Sequence, residues 1–306
     1  MEPSSLSSIW LLTFACFGML GVLVIVLRVF GLLDGPEKRG KKYEWKKDED
    51  PAVAEDSSTL IVLMHKLQFT IMSYVSRPLI SRLFPTSLNF YDVTVYPGVE
   101  GYVALTIDDC FVRQDKENRS LIPVIQKVLK QHEQKATFFT TFNYSLKSWK
   151  VKQVKNLLKD GHELGNHCAD DREYDNDTAE AFELDLDLTS DYIRKLTGKP
   201  SKWFRAPSGK LSSRMQSVLT KKGMTHVMLD CFANDPHVPD AVFIAETILR
   251  GVRSGSIIVI HMPEKGFREW EVDALRFILS GLGEKKLRSV TLSELEGLAK
   301  EGKKLQ

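Results

Sequence analysis

From about residue 100 the chain alternates short apolar runs with amphipathic stretches, and this alternation limits the folds open to it. Candidate strands lie at residues 102–107, 136–140, 162–165, 202–205, 224–229, 255–260 and 287–291. Helical patterns fill the intervals at 119–131, 148–159, 178–196, 211–222, 240–253 and 268–282. A last helix starts near 292, where Thr291 and Glu294 have the spacing of a capping box. Seven strands, each followed by a helix, imply parallel pairing. A barrel close to the eight-fold (β/α) type fits best, and a doubly wound open sheet is the alternative. No internal repeat is visible.

In such a barrel the chemistry collects at the C-terminal ends of the strands. The first strand ends in Asp108 and Asp109. A lone Asp there reads as a turn or helix cap, but further strand ends also finish in reactive side chains. The third closes on Gly165, Asn166 and His167, with Asp171 four residues on; the fourth closes on Arg205, Ala206, Pro207 and Ser208. Asp230 and Asp235 follow the fifth strand, and the sixth ends in His261. His65, His132, His162, His226 and His237 hold no such position and read as surface or core residues.

Asp109, His167 and Asp171 make a nitrogen and oxygen donor set suited to Zn2+ or another divalent ion, with positions left for water and substrate. The His-x-x-x-Asp spacing predicts two ligands on one side of a helical turn. Asp108 would sit beside them as a proton acceptor, with His261 opposite as a proton donor. Arg205 is suited to orienting a carboxylate. Together these groups describe hydrolysis of an acyl group.

The N-terminal third differs in character. Residues 9–27 carry no charge over 19 positions, about 28 Å of helix and close to the hydrocarbon thickness of a bilayer. Residues 1–8 lack Lys and Arg and no small-residue cleavage site follows, so a retained anchor over residues 1–33 is expected in place of a cleaved leader. The basic residues from Arg28 to Lys47 predict a single-pass protein with a cytoplasmic catalytic domain. The sequons at Asn118, Asn143 and Asn176 carry the lumenal or extracellular alternative. Residues 34–58 read as a charged linker. In residues 59–98, the stretch 60–84 predicts an amphipathic helix broken by Pro78, lying on the membrane or on the domain. The catalytic domain is placed at 99–306. A net charge of +2 gives no reason to expect nucleic acid, and four cysteines without paired spacing give no disulfide framework.

The words at residues 105–109 (Leu-Thr-Ile-Asp-Asp), 136–139 (Ala-Thr-Phe-Phe), 161–167 (Gly-His-Glu-Leu-Gly-Asn-His), 204–207 (Phe-Arg-Ala-Pro) and 255–261 (Gly-Ser-Ile-Ile-Val-Ile-His) occur in this order. Through them the chain from about 100 to 300 resembles the polysaccharide deacetylases, the NodB-homology or carbohydrate esterase group. The resemblance implies a distorted (β/α)7 barrel, here preceded by one transmembrane helix. It implies Asp108 as base, Arg205 as the residue holding it, Asp109 and His167 as metal ligands, and His261 as acid. The amide of Ser208, after Pro207, would complete an oxyanion site; Asp235 would orient the acid, with Asp230 as second choice.

Three positions depart from the family pattern. Asp171 replaces a second histidine ligand; carboxylates bind zinc well, so binding of Zn2+, or of another divalent ion such as Co2+, Fe2+ or Mn2+, is expected to survive, with room for harder ions. Cys110 replaces a glycine, at a cost of about 1 kcal/mol or more if that position needs a positive φ. Ser208 replaces an aromatic residue. The implied reaction is removal of acetyl from an N-acetylated sugar such as a chitooligosaccharide. The rival readings are a membrane-tethered carbohydrate-binding protein with a decayed site and an amidohydrolase acting on a non-sugar amide.

Overall fold

The computed structural model describes residues 59–304, which belong to one compact unit, Asp50–Gln306. Its centre is a curled, all-parallel sheet of β1 (Tyr102–Cys110), β2 (Thr137–Thr140), β3 (Glu163–Asn166), β4 (Trp203–Phe204), β5 (Thr225–His226), β6 (Ile257–His261) and β7 (Arg288–Val290). The order is β5-β4-β3-β2-β1-β6, with β7 pairing the start of β1. A doubly wound sheet would reverse direction midway; here the strands follow in sequence around a half-barrel, consistent with a distorted (β/α)7 arrangement. Single bridges Leu88–Val227, Phe90–Ser256 and Cys231–Ile258 lie between β5 and β6.

The helices are α1 (Thr59–Met72), α2 (Arg77–Leu83), α3 (Ile122–Gln131), α4 (Ser148–Lys159), α5 (Ala179–Thr197), α6 (Ser213–Lys221), α7 (Ala241–Gly251), α8 (Trp270–Glu284) and α9 (Leu292–Lys304). Their starts follow local chemistry. Thr178, Ser212 and Asp240 accept the amides of Ala181, Met215 and Phe243 as N-caps. The box before α9 is made, with Thr291 and Glu294 each accepting the other's amide.

Alternation along β1 sorts its side chains between two environments. Val103, Leu105 and Ile107 join the apolar layer under α3 and α8, with Ile122, Ile125, Ile278 and Leu282. Ala104 joins a second cluster with Phe139, Trp203, Ile257 and Leu295. Thr106, two residues on, bonds Arg205, and Asp108 continues that side of the strand to its end.

Residues 9–33 and the linker 34–58 lie outside the described residues. Among the described residues no helix is long and apolar enough to cross a membrane. The expected single amphipathic helix at 60–84 is two: α1 ends at Met72, and Pro78 stands in the first turn of α2 instead of breaking the first helix. There a missing N–H costs nothing, because that amide has no intrahelical partner in any case. Buried Arg77 fastens this segment to the sheet by donating to Asp230 at 2.8 Å and to Ser256 Oγ and the Ser254 carbonyl.

Asp230 is therefore committed to packing, and its other oxygen accepts the Ile257 amide. Arg77→Ala leaves that carboxylate buried without its partner and is expected to destabilise the domain by about 3–5 kcal/mol. Arg77→Met with Asp230→Leu should recover much of that loss. Urea unfolding of the three proteins checks both expectations.

Candidate active site

Consecutive residues of a strand point to opposite faces, so Asp108 and Asp109 could not both serve one site from a regular strand. The pairing of β1 with β2 removes the obstacle. Ile107 opposes Phe138 and Cys110 opposes Thr140, so β1 carries one more residue than its neighbour between those points. This is a bulge, and Asp109 within it has φ 56°. The bulge turns Asp109 out of the alternation. The positive φ falls on Asp109 and not on Cys110, as the glycine replacement had suggested. Asp adopts this conformation more readily than most residues, while the Cys110 thiol stays buried and donates to the Ile107 carbonyl.

Asp108 is 5 % exposed and accepts from Arg205 Nη1 at 2.7 Å. The same nitrogen lies 2.7 Å from Thr106 Oγ1, while Nε and Nη2 donate to the carbonyls of Val227 and Met228. The guanidinium stacks 4.2 Å from the Phe139 ring centre. Arg205 is thus fixed on every side, and it fixes Asp108. On the adjacent strand, in register with Asp108, stands His261. Its Nδ1 lies 3.0 Å from Asp235, which also accepts the His261 amide at 2.8 Å. Burial lowers the affinity of His261 for a proton, but Asp235 outweighs it and the pKa lies above the usual histidine value. Beneath Asp235, fully buried Glu271 is held well up by burial and by that neighbour.

Asp109, His167 and Asp171 each offer a ligand atom, and these atoms lie within 4.8 Å of one another. His167 Nε2 is 3.5 Å from Asp109 Oδ1, close to the edge of about 3.3 Å that two donors span around one ion at 2.0–2.1 Å. His167 Nδ1 lies 2.8 Å from the Arg205 carbonyl and must donate to it, which leaves Nε2 as the free acceptor. The donor set fits a divalent cation. No helical turn brings His167 and Asp171 together, in contrast to the spacing argument. Residues 167–171 form a loop bent at Cys168, φ 64°, and the Cys168 amide is held by the Asn166 side chain.

Two arginines that no motif contained complete the site. Arg113 Nη2 donates to Asp109 Oδ2 at 2.8 Å and to Asp171 Oδ2 at 2.9 Å, and Arg268 Nη1 donates to Asp109 Oδ2 at 2.7 Å. Asp109 thus turns one oxygen to His167 and the other to two guanidiniums. Burial would raise its pKa, but Arg113, His167 and Arg268 hold it well below the usual carboxylate range. Burial and the Asp109 charge raise that of Asp171, whose side chain is a quarter exposed. Glu264, also unexpected from sequence, accepts the Arg113 amide and ties the loop after β1 to the loop after β6. The only sequence signal for Arg113 is its place four residues after Asp109.

Ser208 is exposed at φ 57° in the turn Pro207–Gly209. The bonds closing this turn, from Gly209 to Ala206 and from Lys210 to Pro207, do not use the Ser208 amide. His162 and His226 are core residues, held by burial at about 4 and about 3.

Residues 96–227 match the family model described as polysaccharide deacetylase, so this stretch of the chain is similar to a domain of that family. It is 29% identical over 217 residues to a peptidoglycan-N-acetylglucosamine deacetylase of Bacillus cereus, covering 70% of this chain and 95% of that protein. A chitooligosaccharide deacetylase of Azorhizobium caulinodans is 26% identical over 179 residues, covering 55% of this chain and 84% of the relative. The uncharacterised YlxY of Bacillus subtilis is 27% identical over 57% of this chain, which spans about half of its length, 51%. Among solved structures, a peptidoglycan N-acetylglucosamine deacetylase aligns with a TM-score of 0.60 at 27% identity, covering 71% of this chain and 95% of that one. A family pseudoenzyme from Bacillus anthracis has the same fold, with a TM-score of 0.55 at 21% identity and coverage of 64% and 65%.

If this donor set holds an ion, stoichiometric zinc binding should be lost in Asp109→Ala and His167→Ala and kept in Asp171→His. His167 has a raised pKa, since its carboxylate neighbours outweigh burial. Binding needs its neutral form, so zinc affinity is expected to level off above that pKa and to fall about tenfold per pH unit below it. Calorimetric titration from pH 5.5 to 8.5 checks both points.

Proposed function

We propose that this protein is a metal-dependent deacetylase that hydrolyses the N-acetyl amide of an N-acetylated sugar, a chitooligosaccharide or related glycan. One observation supports the reading above others: the arginine-held Asp108 and the Asp235-held His261 stand in register on neighbouring strands, beside a three-residue donor set that fits one cation. Asp109, His167 and Asp171 would hold Zn2+, or Co2+, Fe2+ or Mn2+, and the ion would supply Lewis acidity toward water and the amide carbonyl. Asp108 takes the proton of the attacking water, and Arg205 keeps its carboxylate aimed. The Ser208 amide, in the turn begun by Pro207, stabilises the oxyanion. His261, charged through Asp235, protonates the departing amine. Residues 9–33 tether the chain to a membrane in single-pass form, with the catalytic domain on the cytoplasmic side.

Acetate release from N-acetylglucosamine oligomers tests the scheme. Asp108→Asn and His261→Ala should each lose about 10²–10⁴ in turnover; undiminished turnover in both rules it out. Asp235→Asn removes the charge that raises the His261 pKa, so the basic limb of the turnover profile should move to lower pH with KM little changed. A limb that stays in place removes Asp235 from this role.

The second reading is a binding protein with a decayed site. It draws on Arg113 and Arg268, which give the ligand carboxylates cationic partners of their own. Stoichiometric metal in the purified protein decides against it.

A further inference from the structure

Helix α1 is turned inside out. At 3.6 residues per turn Leu60, Leu63, Met64, Leu67, Ile71 and Tyr74, just past its end, fall within an arc of about 100°. All six are exposed, from 38 to 72 %. The opposite side faces the domain and contains most of the polar groups. Phe69 is buried there, His65 meets the His237 ring, and Lys66 pairs with Asp240 at the start of α7. A helix held to its domain by the polar side and presenting leucines outward has a solvent other than water.

Three observations indicate which solvent. The uncharged run at residues 9–27 lies upstream, separated from α1 by 31 residues, 28–58, that reach at most about 110 Å. The stripe ends in Tyr74, with the Arg250 guanidinium 5.7 Å from its ring centre, the aromatic and basic pairing of a membrane interface. Helix α1 as a whole contains no Asp or Glu.

Helix α1 also borders the site. Phe69 packs edge-on against Phe232 at 5.4 Å, and Phe232 lies 6.0 Å from the His261 ring. We infer that α1 lies in the surface of a lipid bilayer, and that the site two ring contacts away acts on a glycan carried by a membrane lipid. The substrate half of this inference rests on the deacetylase reading.

The full chain in phosphatidylcholine vesicles tests it. Cys16→Ser leaves Cys110, Cys168 and Cys231, all buried, so a fluorophore can be placed at Leu67→Cys and, as a control, at exposed Lys130→Cys. Lipids with nitroxide-labelled acyl chains should quench the first label at least about twofold and the second not at all. Equal quenching at the two positions overturns the bilayer contact, as does cross-linking of Leu67→Cys to a second copy. Leu63→Glu with Leu67→Glu should lose about tenfold or more in turnover of lipid-borne N-acetylglucosamine in those vesicles and keep its turnover of the soluble oligomer. Equal effects on the two substrates overturn the substrate half. No turnover of either by the unaltered chain defeats the deacetylase reading and the substrate half together, while the quenching still decides the bilayer contact.

Discussion

One extra residue in β1 governs the site. A regular strand ending in two aspartates would give one to the interior and one to the helical layer, where a carboxylate would be buried among Ile122, Ile125 and their neighbours. The bulge between Ile107 and Cys110 avoids that cost and lets two adjacent carboxylates, Asp108 and Asp109, face the same site. Its strained member is a residue that tolerates a positive φ, while Cys168 and Ser208 are held in the same region at two further strand ends. Strain gathers at the site and is sustained by the packed strands below it. Fold and chemistry can also separate here, since losing a single residue would restore regular pairing while turning one carboxylate away.

Around the bulge the charged groups arrange one another. Arg205 donates to Asp108 through a side chain and to β5-end carbonyls through the rest of its fork, and its own carbonyl sets the His167 tautomer. Asp108 and His167 are therefore both oriented by one residue at the end of β4. Arg113 plays a similar part between Asp109 and Asp171, joining the end of β1 to the loop after β3, and Glu264 fixes the backbone from which it reaches.

Much of this was legible in the residues. Parallel topology followed from the alternation of periods, and the strand ends named Asp108, Asp109, His167, Arg205 and His261, because chemistry gathers at that rim in such folds. Asp230 and Asp235 were both placed after the fifth strand, but only the family resemblance gave Asp235 a role toward His261, and the structure pairs those two while giving Asp230 to Arg77. What escaped had a common cause. Arg268, Glu264 and Glu271 sit in loops or at a helix start with partners distant in sequence, and Arg113 has only its spacing from Asp109, so no periodicity marks any of them. The bulge was hidden because register is a property of two strands, and the loop from His167 to Asp171 because its bend is at a cysteine that carries no turn signal.

The balance of charge around the donor set has its own consequence. Asp108, Asp109 and Asp171 face Arg113, Arg205 and Arg268, three against three. Opposite fields of equal count cancel within a few ångströms, so little potential extends into solvent to draw a cation from afar. Ion capture here would depend on short-range geometry, and its rate would respond weakly to added salt, unlike that of a purely acidic cleft.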